Sequence, residues 1–327
     1  MNMFFHIVAV GLVAGVLTVG TGCTTAPRHP EATVSTPRSP DPALAKQART
    51  VRIFRGSDGS PVSWDSLVTA ASGADAVIIG ENHGHKVGLA FASELWADVF
   101  AQRNRAVLSM EFFNRDEQSR LDDYLKGLWA EAAFLKATGR TSEETYPPGH
   151  RAMVEAAKTH ARPVIASNSP RTYVTAARKE PYSYLTTLTS EERRMFRIPD
   201  ELPTGRYRTD FEAVMSDPAM ASHGGAAKKE TAEELKTRLD AAFRAQSLWD
   251  WTMADSVARG IDTDGRPVVH VVGRFHSDFD GGLVQALNKI RPGTRVVTVS
   301  VVDAWSDSLQ SDDHGRADFI AYVGKSE

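Results

Sequence analysis

Two short motifs set imidazoles beside other polar groups in the chain: Gly80-Glu81-Asn82-His83 and Gly273-Arg274-Phe275-His276. Each directly follows an apolar run, Asp75–Ile79 in the first case and Pro267–Val272 in the second. A continuous apolar run bounded by turn residues reads as a buried strand of a parallel sheet. In open α/β sheets, chemistry gathers beyond the carboxyl ends of the strands, so residues far apart in sequence can meet there. Two imidazoles delivered in this way point to a metal, a cofactor or general acid–base work.

Other polar residues fall at comparable places. Glu111 ends the run Ala106–Met110, and Asn168 ends the run Pro163–Ser167. Gln246 and Asp250 lie on the apolar face of a long helical stretch, where a carboxylate is costly unless paired. His83, His276, Glu81 and Glu111 together could ligate Zn²⁺, Mn²⁺ or Fe²⁺, since imidazole and carboxylate suit these ions. Without a metal, the same four could act as acids and bases, a carboxylate orienting the imidazole that takes a proton. Plainer roles exist beside these. Glu81 and Asn114 could serve as helix-end polar partners. His85 in a loop, His270 inside a strand and His223 in a Gly-rich loop read as structural.

The elements that must position these groups alternate. Strands are expected at 75–79, 106–110, 163–167, 267–272 and 295–302, with helices at 87–102, 115–125 and 149–161 between them. Residues 51–55 and 61–64 read as a small hairpin. This alternation predicts an α/β fold: a mostly parallel central sheet flanked by helices. A mainly helical insertion (about 182–260) interrupts it, irregular from Tyr182 to about Ala227 and then a long helix over roughly 230–259.

The N-terminus carries a different signal. Residues 4–19 are almost wholly apolar and end in Gly20-Thr21-Gly22-Cys23, the sole cysteine of 327 residues. The run is short of the roughly 20 residues a membrane helix needs and fits the apolar core of a secretory signal. It resembles a bacterial lipoprotein signal, although Gly20 stands where Leu is usual. That resemblance implies a signal peptide over residues 1–22, lipidation at Cys23 and an outer-membrane, cell-envelope location. The Pro-, Thr- and Ser-rich stretch over 23–50 reads as a flexible tether, and 51–327 as the folded domain. With 38 basic against 41 acidic residues and no basic, aromatic-interleaved stretch, nucleic acid is not an expected partner.

Several motifs occur in an order that resembles the ChaN family of haem-binding, iron-regulated lipoproteins. They are Ile78–His83, Ser109–Phe113 with Gln118 and Leu121–Leu125, Ala166–Arg171, Ala245–Ala254 and Gly273–His276. The wider superfamily includes erythromycin esterases and the Tiki/TraB proteins. The resemblance implies haem as cofactor, a Tyr able to ligate ferric iron, a homodimer able to enclose haem and an outer-membrane receptor as partner. Tyr146, in a Pro-rich loop, is the first candidate ligand and Tyr207 the second; Asn168, Arg171, Gln246 and Asp250 join them as cofactor-binding positions. The hydrolytic relatives imply an alternative, a metal-dependent hydrolase in which Glu81, His83, Glu111 and His276 are catalytic.

Overall fold

A computed structural model describes residues 41–217 and 230–325. Cys23, the apolar run before it and His223 lie outside the described residues. The elements are, in order, α1 (Pro42–Arg49), β1 (Arg52–Arg55), α2 (Trp64–Gly73), β2 (Ala76–Glu81), α3 (Lys86–Gln102), β3 (Val107–Asn114) and α4 (Gln118–Leu125). There follow α5 (Glu131–Ala137), α6 (Pro148–Thr159), β4 (Val164–Asn168), α7 (Arg171–Lys179), α8 (Tyr182–Thr186), α9 (Arg206–Ser216), α10 (Ala232–Thr263), β5 (Val268–Gly273), α11 (Gly282–Ile290), β6 (Val296–Val302) and β7 (Phe319–Tyr322).

The strands form one sheet in the order β1-β7-β6-β2-β5-β3-β4. Every neighbouring pair is parallel except β1 with β7. Burial on both faces explains the unbroken apolar runs of β2 and β5, whose residues are all buried. Alternate side chains enter opposite cores. Val77 and Ile79 face Phe91, Leu95 and Trp96 of α3, whereas Ile78 faces Trp251 and Val257 of α10 with Leu283 of α11. The α/β class and mostly parallel sheet expected from the alternating pattern are what the chain adopts.

Three local expectations need correction. Residues 42–49, read as tether from their composition, form α1. Asp41 caps it by accepting from the Ala43 amide at 2.8 Å, and Arg49 pairs with buried Glu94 at 2.7 Å and also with Asp98. The expected hairpin is reduced to one bridge between Phe54 and Pro61, and Trp64 opens α2 instead of a second strand. β1 pairs with β7, a strand that four residues beyond a polar loop did not announce. Among the described residues, no helix is long and apolar enough to cross a membrane.

Candidate functional site at the carboxyl end of the sheet

β2 and β5 are neighbours in register, with Gly80 opposite Val272 and Glu81 opposite Gly273. Both motifs therefore leave the sheet at the same level and side by side. Both glycines stand at a close approach, tightest against backbone at Gly80. A Cβ on Gly273 would lie 2.8 Å from His83 Nε2, and one on Gly80 would lie 2.8 Å from the Arg274 Cα. The result is a cleft of about 460 Å³ lined by Glu81, His83, Tyr207, Gln246, Phe275 and His276, among others.

Glu81 sits at the base of one half of this site and is 3% exposed. Its carboxylate accepts from His83 Nδ1 at 3.0 Å and from His150 Nε2 at 2.8 and 3.0 Å. Burial pushes a carboxyl up, but the two imidazoles outweigh it and bring Glu81 down to about 2. An ionised carboxylate only accepts, so both ring nitrogens facing it carry hydrogens. For His83 that leaves Nε2 turned away from Glu81, on a side chain 68% exposed. The Glu81 hydrogen bond raises the His83 pKa.

The other half is built on Asp250 of α10, which is fully buried. It accepts from His276 Nδ1 at 2.5 Å and from the Tyr207 hydroxyl at 2.7 Å, and Gln246 donates to that hydroxyl at 3.0 Å. Burial alone would lower the His276 pKa, yet Asp250 and Glu111 raise it to about 9. Glu111 bridges the halves. Its carboxylate accepts from the Gly273 amide at 2.6 Å and lies 3.6 Å from His276 Nε2.

Glu81, His83, Glu111, His276, Gln246, Asp250 and Tyr207 are thus brought together. Asn168 and Arg171 are not. β4 lies two strands away from β5, the Asn168 side chain accepts from its own neighbour Ser169, and Arg171 is exposed at the start of α7. Tyr146 is also outside the cleft lining. It is buried, stacked on Phe112 with ring centroids 5.6 Å apart, and its hydroxyl has no partner among the described residues. Tyr207 lines the cleft, but burial and the adjacent Asp250 drive its pKa far up, so its oxygen is held as a hydroxyl. His85 caps α3 through Nδ1 and donates from Nε2 to the Gly324 carbonyl, a structural role. His270 is equally structural: burial and the His276 charge lower its pKa to about 3, and it contacts Ser109 at 3.0 Å.

His150 is the residue that sequence reasoning missed. Its only signal is position: Pro147-Pro148 starts α6, and so fixes His150 in the first turn of a helix packed on α3. The expected His₂Glu₂ metal set is not assembled. Among the described residues, no group of three or more His, Cys, Asp or Glu side chains is arranged to hold a metal ion. Glu81 with His83 and Asp250 with His276 form separate hydrogen-bond sets, and Glu111 accepts from the Gly273 amide between them.

The sequence profile of a family described as haem-binding uptake, Tiki superfamily, ChaN, matches residues 67–287. Among solved structures, the chain is similar to one of cofacial haem binding to ChaN of Campylobacter jejuni. The TM-score is 0.61 at 16% identity, covering 83% of this chain and 96% of that one, which shows a shared fold. A mutant of the erythromycin esterase EreC in its open conformation gives a TM-score of 0.43 at 12% identity, covering 83% of this chain and 82% of that one. The type III effector HopBA1 gives 0.40 at 13%, covering 86% and 98%. Likeness at these last two levels carries no functional argument. No curated protein matches the sequence.

The two buried carboxylates set a pH profile. The raised His276 pKa contributes stability that is complete below the ordinary value of 6.5 and is lost as pH rises toward about 9. Glu81 acts oppositely, contributing above 4.5 and losing its contribution as pH falls toward about 2. Thermal melts should therefore peak between the two windows, near pH 5–6, with an alkaline limb on the order of 2 kcal/mol. Asp250→Asn should flatten the alkaline limb and leave the acid limb. An unchanged alkaline limb in that variant would remove the ion pair from the account.

Proposed function

The chain belongs to the haem-binding uptake family of the Tiki superfamily, ChaN, and on that premise we propose that it binds haem at the cleft beyond β2 and β5. The observation that carries this reading is the geometry of His83. Its Nδ1 is held by a buried carboxylate, while Nε2, turned away from Glu81 on an exposed ring at the cleft, is the nitrogen that would give up its proton to bind iron. A carboxylate on the far nitrogen fixes the tautomer and raises the basicity of an imidazole ligand. His83 would hold the iron, and His150 would hold Glu81 in place behind it. Phe275 and Phe279 offer apolar contact for the macrocycle, and Arg274 and Arg316 offer charge for its carboxylates. Bound haem would supply an iron centre whose polarity and access this lining sets.

The relative from Campylobacter jejuni binds haem cofacially, an arrangement with two stacked planes. Among the described residues, one exposed imidazole, that of His83, lies at the cleft. We therefore assign the second ligand to a second copy in a homodimer. Within the same reading, the protein is lipidated on Cys23, held in the cell envelope at the outer membrane, and delivers haem or iron to a receptor there. The signal-like run before the sole cysteine supports that placement.

A second reading, hydrolysis, is favoured by one observation, the buried His276–Asp250 pair beside Glu111. It uses His276 and Glu111 as the proton-handling groups.

The primary test is a difference-absorbance titration of residues 24–327 with haemin. A saturable Soret shift is expected, weakened by about 10- to 100-fold in His83→Ala and by about tenfold in Glu81→Gln. No saturable shift in the unmutated protein would sink the haem reading. Retained affinity in His83→Ala with loss in Tyr207→Phe would move the ligand to Tyr207. Anchoring predicts that Cys23→Ser shifts the expressed protein from the membrane to the soluble fraction. Hydrolysis predicts ester turnover by the haem-free protein that is lost in His276→Asn, and turnover surviving that change would discard it.

A further inference from the structure

A second, wide groove shares no residue with the sheet-end cleft. It measures about 980 Å³ and runs along the outer side of β4, between α4 and the C-terminal part of α10. Because β4 ends the sheet, its outward backbone groups would ordinarily invite another strand. Here side chains already occupy several of them. The Gln118 carboxamide donates to the Val164 carbonyl at 2.8 Å and accepts from the Ala166 amide at 2.7 Å, and Ser256 donates to the Ser167 carbonyl at 3.0 Å. No ladder is left for a peptide strand to join at these positions, so the occupant must be recognised by side chains.

The lining side chains divide into two kinds. Leu125, Pro163, Ile165 and Met195 give an apolar surface, while Arg115, Lys126, Arg162, Arg194 and Arg259 bring five cations against two carboxylates, Asp122 and Asp264. Part of that charge is internally engaged. Arg115 pairs with Asp255 at 2.6 Å, Arg259 with the same carboxylate at 3.2 Å, and Arg162 donates to carbonyls of Arg105, Ala106 and Asp264. Lys126 and Arg194 are exposed at the groove. The surplus is felt inside: burial, Arg259 and Arg197 together lower the Arg115 pKa to about 10 despite Asp255. An apolar trough with a cationic rim matches a ligand that has an apolar body and an anionic head.

We propose that the groove between α4, β4 and α10 is a second ligand site, taking an acyl chain that bears a carboxylate or phosphate head. The chain would lie over Ile165 and Pro163, and the head would meet Arg194 and Lys126. The proposal is independent of haem binding at His83.

The test is calorimetric titration of the protein with laurate and with dodecyl phosphate below their micelle concentrations, with inorganic phosphate as the head-group control. Saturable binding of one laurate or one dodecyl phosphate per chain supports the site, and the tighter of the two names the head. The double variant Lys126→Glu with Arg194→Glu changes only exposed side chains and should weaken binding by about tenfold or more. His83→Ala should leave it unchanged, so failure here and failure of the haem reading are told apart. Absence of saturable binding, equal affinity in the double variant, or inorganic phosphate binding as tightly as dodecyl phosphate would each overturn the proposal.

Discussion

A buried carboxylate is intolerable alone, and two of them organise this molecule. Glu81 at the end of β2 and Asp250 in the middle of α10 are both withdrawn from water. The cost of an unpaired buried charge is several kcal/mol, so each must hold donors in fixed places. Glu81 is satisfied by two imidazoles, Asp250 by an imidazole and a phenol. The partners come from the loop after β2, the first turn of α6, the turn after β5 and the first turn of α9. Four segments distant in sequence are thus tied to two carboxyl groups, and the cleft is the space those ties leave open.

What lets the ties form is strand register. β2 and β5 advance together through six paired residues, so Glu81 and Gly273 arrive opposite one another. A Cβ at Gly273 would come 2.8 Å from His83 Nε2, so glycine there lets the exposed imidazole lie against the second motif without shifting. The Gly273 amide also donates to Glu111, reached from β3 on the other flank of β5. Three neighbouring strands meet at Gly273.

This convergence was legible in the sequence because buried parallel strands announce themselves as unbroken apolar runs, and the motifs sit at their ends. The placement of Gln246 and Asp250 was legible for a related reason: a carboxylate on the apolar stripe of a helix has to face a partner. Strand order was not legible. Asn168 ends a strand just as Glu111 does, yet β4 is at the edge, so the same local pattern leads away from the cleft. Tyr146 was expected at the cleft, yet it is His150, four residues on, that reaches the site, for a similar reason. A loop composition says nothing about which side chain turns inward, and it is the imidazole that reaches Glu81 while the phenol stacks in the core. α1 was hidden by the Pro- and Ala-rich composition around it, and its place is fixed by Arg49 reaching Glu94 and Asp98.

The turn after β5 carries the remaining constraint. Phe279 and Asp280 both have positive φ, at 55° and 54°, a conformation costing non-glycine residues on the order of 1–3 kcal/mol each. The surroundings hold it in place. The Phe279 amide donates to the Arg316 carbonyl at 2.7 Å, Gln285 donates to the Asp280 carbonyl at 2.7 Å, and the guanidinium groups of Arg206 and Arg316 both lie over the Phe279 ring. Strain kept by so many contacts has a structural consequence at the cleft. The turn cannot relax outward without releasing Arg316 from Asp278, three residues from Phe275 and two from His276. The rim is therefore set by the fold, and beside it His83 is tethered to Glu81 at one nitrogen and exposed at the other.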